Sequence, residues 1–157
     1  MRPKTSQPTT ICTSSEKNVP DRVLVDTVFV LAIINPRDKY HRQALELANK
    51  YEGRPLLVTD AVLLEVGNAL ARGYKKEAIE IIEGFFVSEE VEVVHLSDRL
   101  FEQAFALYKQ YQDKEWSLVD CVSFAVMREA GVRQALTFDR HFTQAGFEPL
   151  MRESSRA

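Results

Sequence analysis

Between Arg22 and Met151 the chain alternates short β-prone runs with helix-periodic stretches, and this alternation constrains the fold more than any other feature. "RVLVD" is a continuous apolar run, the pattern of a strand buried on both faces. "KYHRQALELANKYEG" then places Tyr40, Ala44, Leu47, Ala48 and Tyr51 at helical spacing and stops at Gly53. "RPLLVTD" is a second strand, with Pro55 among its first residues, where proline is tolerated. "DAVLLEVGNALARG" predicts a helix opened by Thr59 or Asp60 and closed at Gly73, and "KKEAIEIIEGFFV" another. "VEVVHL" is a third strand, and "SDRLFEQAFALYKQY" a helix capped by Ser97. "SLVDCVSFAVMREAG" is a largely apolar and therefore central helix. "VRQALTF" is a fourth strand and "EPLM" a short fifth. Strands separated by helices imply a three-layer α/β/α sandwich around a mainly parallel sheet of four to five strands.

Ligands of such sheets bind outside the carboxyl ends of the strands. Asp26 ends the first strand and Asp139 lies just past the fourth, so both face that rim. Glu65 sits about a turn and a half into the helix that starts at the same edge, and Asp120 sits in the first turn of the apolar helix. The four acids are distant in sequence and convergent in the expected fold. Each also has a plainer explanation. Ser117-Leu118-Val119-Asp120 fits a capping box, Asp26 and Asp139 suit helix starts, and Glu65 suits a solvated helix face. Clustered carboxylates repel by about 4 kcal/mol per pair at ~4 Å and an effective dielectric of about 20. Protons or cations relieve this, and hard oxygen donors suit Mg²⁺ or Mn²⁺. Divalent ions in such a site activate water and clamp a scissile phosphate, so phosphodiester hydrolysis is the natural reaction class. Thr27 and Thr137 flank the acids and are placed to orient ligands or water, or to make a local backbone hydrogen bond. Arg37, Lys39 and Arg140 are available to hold a substrate backbone. Arg42, Arg72, Lys75 and Lys76 are also cationic, with Arg72, Lys75 and Lys76 read as a solvated face and His41 and His141 as surface histidines.

The 157 residues, 45% apolar and 27% charged, suit one soluble domain at 21–151 with a large enough core to need no disulfides. Residues 1–20, rich in Thr, Ser, Pro and Lys, read as a flexible tail, and 152–157 as a short C-terminal one. Neither cysteine has metal or redox spacing, which fits a reducing cytoplasm. The longest apolar stretch is too short to span a bilayer and carries Asp26. A net charge of −3 argues mildly against nucleic acid as a partner. Set aside the four site carboxylates and that −3 becomes +1, so the remaining surface is near neutral.

"VLVDTVFVLAII", "TDAVLLEVGNAL", "WSLVDCVSFAVM" and "ALTFDRHF" resemble the four acidic motifs of PIN-domain ribonucleases, and among them the VapC-like toxins of toxin–antitoxin pairs. The similarity covers about residues 22–150. It rests on Asp-Thr after the first strand, Ser three before the third acid, and Thr-x-Asp-x-x-Phe at the last. The resemblance implies a four-carboxylate Mg²⁺ or Mn²⁺ site at Asp26, Glu65, Asp120 and Asp139, with Ser117 beside it. It implies an RNA substrate, cleavage by metal-activated water, a homodimer and a cognate antitoxin. Two rivals that also place acids at strand ends fall away. A receiver-like phosphoacceptor wants a late lysine, and none follows Lys114; a haloacid-dehalogenase-like phosphatase wants an aspartate where Val28 stands. A non-catalytic PIN-like module that binds RNA or a partner remains the alternative.

Overall fold

The computed structural model describes residues 21–151, so the tails expected at 1–20 and 152–157 lie outside the described residues. Five strands form one sheet: β1 (Val23–Val25), β2 (Leu56–Thr59), β3 (Val91–Val94), β4 (Gln134–Leu136) and β5 (Glu148–Pro149), in the order β3-β2-β1-β4-β5. Every neighbouring pair is parallel. The helices are α1 (Thr27–Ile34), α2 (His41–Lys50), α3 (Asp60–Ala69), α4 (Lys75–Val87), α5 (Asp98–Gln110), α6 (Leu118–Ala130) and α7 (Arg140–Gln144).

The period-2 alternation of strand side chains splits the core in two. Val23 and Val25 of β1, Val58 of β2 and Leu136 of β4 face one layer, where they meet Phe29, Val30, Val62 and Val66. Leu24, Leu57 and Ala135 face the other, against Phe124, Met127 and Phe142. This explains why the strands read as unbroken apolar runs. None of the described helices is long and apolar enough to cross a membrane.

Two helices are anticipated in the sequence only as starts at Asp26 and Asp139, with no periodic segment read behind them. In α1, "TVFVLAII" is β-branched and apolar on every side, so it carries no helical period to detect. Helix α7 is only five residues long. Elsewhere the caps act as expected, but α3 ends at Ala69 with Leu70 as its C-cap, short of the expected stop at Gly73. Thr59, not Asp60, caps α3 by accepting from the Val62 N–H, and Ser97 caps α5 by accepting from the Leu100 N–H. Helix α6 ends on Gly131 at φ 68°, a left-handed geometry that disfavours a side chain.

The strand order fixes where a ligand site forms. From β1 the chain winds outward through β2 and β3, whereas β4 and β5 lie on the other side of β1. The carboxyl ends of β1 and β4 therefore flank the topological switch point, where loops diverge and leave a crevice.

Candidate active site at the carboxyl edge of the sheet

Asp26 follows β1 at the switch point and is the N-cap residue of α1, yet its side chain makes no capping bond. It is 5% exposed. Its Oδ2 instead accepts a 2.8 Å hydrogen bond from Thr137 Oγ1, beyond β4. Burial pushes this carboxyl up to about 7, and the negative charges of Asp120 and Asp139 push the same way; the bonds from the Thr137 hydroxyl and the Thr27 backbone oppose them.

Asp139 caps α7 by accepting from the His141 backbone N–H at 2.9 Å. Its own N–H donates to Thr137 Oγ1 at 3.0 Å. One hydroxyl therefore ties two acids together, donating to Asp26 and accepting from the backbone of Asp139. Asp120 is held from two directions. Its Oδ2 accepts the Ser117 N–H at 3.0 Å while Ser117 Oγ accepts the Asp120 N–H, a complete capping box. The same Oδ2 lies 3.0 Å from His141 Nδ1. Capping and convergence, posed as alternatives for Asp120, hold together.

Glu65 joins less directly. Its Oε1 accepts a 2.6 Å hydrogen bond from Thr27 Oγ1, which links it to the residue after Asp26. The structure thus draws Asp26, Asp120 and Asp139 into one electrostatic neighbourhood and tethers half-buried Glu65 beside it.

His141 departs from the expectation of a surface histidine. Its side chain is 18% exposed, and Nδ1 is also 3.4 Å from Asp139 Oδ1. Donor atoms of Asp120, Asp139 and His141 lie within 4.8 Å of one another. The signal for it was its offset of two from Asp139, in the first turn of the short helix that Asp139 caps. His41, by contrast, directs Nδ1 to the Ala32 carbonyl oxygen at 2.7 Å.

The cationic candidates differ in what ties them to the acids. Arg140 is exposed and directly follows Asp139. Lys39 is exposed, with Nζ 4.9 Å from the Tyr40 ring centre. Tyr40 stacks on Phe138 at 3.9 Å, which brings the loop before α2 against the residue preceding Asp139. Arg37 is exposed in that loop, whose turn is fixed by its N–H donating to Asn35 Oδ1. Arg72, Lys75 and Lys76 are exposed as expected.

The donor set fits a hard divalent cation. It offers carboxylate oxygens around a buried acid whose charge is destabilised by burial and by like-charged neighbours, the condition a cation relieves. Among the described residues no protein donor binds the second oxygen of Asp120 or Asp139.

The PIN domain sequence profile matches residues 23–148. The chain belongs to the PIN domain family. It is 34% identical over 127 residues to the 23S rRNA-specific endonuclease VapC20 of Mycobacterium tuberculosis, covering 80% of this chain and 95% of that one. It is 29% identical over 108 residues to a VapC ribonuclease of Aquifex aeolicus, covering 66% of this chain and 73% of that one. The crystal structure of M. tuberculosis VapC20, described as a sarcin-ricin loop cleaving toxin, superposes with a TM-score of 0.72 at 32% identity, over 80% of this chain and 95% of that one. This PIN-domain protein is accordingly of the VapC-like type.

Proposed function

We propose that this PIN-domain protein is an endoribonuclease that hydrolyses RNA phosphodiester bonds at a Mg²⁺ or Mn²⁺ site held by Asp26, Glu65, Asp120 and Asp139, and that it is the toxin of a toxin–antitoxin pair. The observation that carries this reading is the convergence of Asp26, Asp120 and Asp139 from three separate elements onto the switch-point edge. The similarity to endonucleases and ribonucleases of the VapC type supports the substrate class and the toxin role.

When bound, the ion supplies a nucleophile at neutral pH by lowering the pKa of water and offsets charge on the scissile phosphate. The chain's own residues supply position. Thr137 holds one oxygen of Asp26, Ser117 and His141 hold one of Asp120, and Thr27 holds one of Glu65. These three acids would thus face a bound ion with a fixed orientation, which limits reorganisation during the reaction. Arg37, Lys39 and Arg140 steer the RNA backbone to the rim. Single-stranded or loop RNA is preferred, because a recessed site admits a backbone that bends inward and unstacked bases present their edges for reading. A homodimer, a cognate antitoxin covering the groove and a cytoplasmic setting complete the proposal.

The test incubates purified protein, free of any antitoxin, with structured RNAs, matched duplex RNA and duplex DNA. Metal-dependent cuts confined to loops, weakening as salt rises, are expected. Unchanged RNA with both metals would favour a binding module without catalysis, and equal cutting of duplex DNA would overturn the RNA assignment.

A further inference from the structure

We propose that His141 is a positioning residue of the metal site: its imidazole Nδ1–H fixes the Asp120 carboxylate against Asp139 and thereby sets the affinity for the divalent ion. The inference rests on the reading of the acid cluster as a metal site.

Asp120 belongs to α6 and Asp139 to the turn after β4, so no shared backbone sets the spacing of their side chains. His141 spans them, with Nδ1 3.0 Å from Asp120 Oδ2 and 3.4 Å from Asp139 Oδ1. A ring nitrogen at hydrogen-bond distance from a carboxylate must carry the proton, so Nδ1 is the donor. The two side chains of the closer pair are only 18% and 12% exposed, so water competes weakly for the bond. The donor is aimed at the oxygen already held by the Ser117 N–H. Together the two donors fix the carboxylate plane and leave Oδ1 as the oxygen to meet a cation.

The imidazole is not needed to fold the segment that carries it. Asp139 caps α7 through the His141 backbone N–H, which any residue but proline supplies. Phe142 is fully buried against Phe124, ring centres 5.0 Å apart, and anchors the helix. The side chain of His141 can therefore be changed with α7 in place.

The test is a Mn²⁺ titration of the full chain, with free ion followed by its electron paramagnetic resonance signal, for wild type, His141→Ala, His141→Asn and His141→Gln. Asparagine carries an N–H on Cγ, where histidine carries Nδ1; glutamine places its amide one bond further out. His141→Ala should bind Mn²⁺ about 10- to 100-fold more weakly, the range seen when partners of metal ligands are removed. Its metal-free thermal midpoint should stay within about 3 °C of wild type. His141→Asn should regain most of the lost affinity and His141→Gln should not. Wild-type affinity in His141→Ala would overturn the inference and leave the metal site standing. So would nitrogen coupling to the bound Mn²⁺ in wild type, since His141 would then be a ligand. No Mn²⁺ binding by wild type would instead overturn the metal-site reading, and the inference with it.

Discussion

At the residue scale the site depends on single hydroxyls and single charges. Thr137 is buried, and its Oγ1 serves both Asp26 and the Asp139 N–H. Thr137→Val keeps the shape and removes both bonds, so it should destabilise by about 1–3 kcal/mol and lower cleavage; urea unfolding and single-turnover rates would show both. Asp26 sets the pH response of the metal-free protein. Its folded pKa lies near 7, above the ordinary 3.8. A carboxyl raised in this way favours the folded state below its unfolded pKa, and that contribution is lost as pH rises through the folded pKa. Wild-type stability should therefore fall relative to Asp26→Asn as pH rises from about 4 to about 7, by on the order of a few kcal/mol. Thermal melts in chelator across that range would test it, and parallel curves for the two proteins would contradict it. Asp26, Asp120 and Asp139 were legible in the sequence because each lies at the end or in the first turn of an element, whereas Glu65, inside α3, was legible only through the sheet edge at which that helix starts. His141 was not, because a histidine two residues past an acid has no meaning until the turn that folds it back is known.

At the scale of elements, α6 and α7 deliver the site. The capping box of α6 holds Asp120 in the first turn, where the helix dipole favours a carboxylate. Asp120→Asn keeps an oxygen to accept from the Ser117 N–H while losing the charge. Stability should change by less than about 1 kcal/mol and cleavage should fall steeply. Near-wild-type cleavage would make Asp120 a cap and nothing more. In α7, Phe142→Ala would open a cavity against Phe124 and cost about 3–5 kcal/mol, displacing Asp139 with it. Calorimetry of the variant would measure this. The strands, caps and larger helices were readable because burial on both faces gives unbroken apolar runs and amphipathic helices give a clear period. Helix α1 was hidden for the converse reason: its "TVFVLAII" is apolar on all sides, and β-branched residues point toward strand.

At the scale of the whole molecule, strand order brings the scattered acids Asp26, Asp120 and Asp139 into one neighbourhood. With β1 and β4 adjacent at the switch point, Asp26 and Asp139 meet although they lie far apart in sequence. Parallel topology followed from the alternation of strands and helices, but the adjacency of β1 and β4 did not, because strand order is decided by long-range packing. Only the folded chain gathers the acids, so a divalent ion should raise the thermal midpoint, by about 2.7 kcal/mol of stability at a hundredfold excess over Kd. On the proposed function, this cluster is a metal site that cuts RNA. Its most direct test is cleavage of one structured RNA by wild type and Asp26→Asn, in EDTA and after excess Mn²⁺ or Mg²⁺. Wild type should be inactive in EDTA and active once metal is restored, with Asp26→Asn inactive throughout. Metal-independent cleavage, or undiminished cleavage by Asp26→Asn, would contradict it.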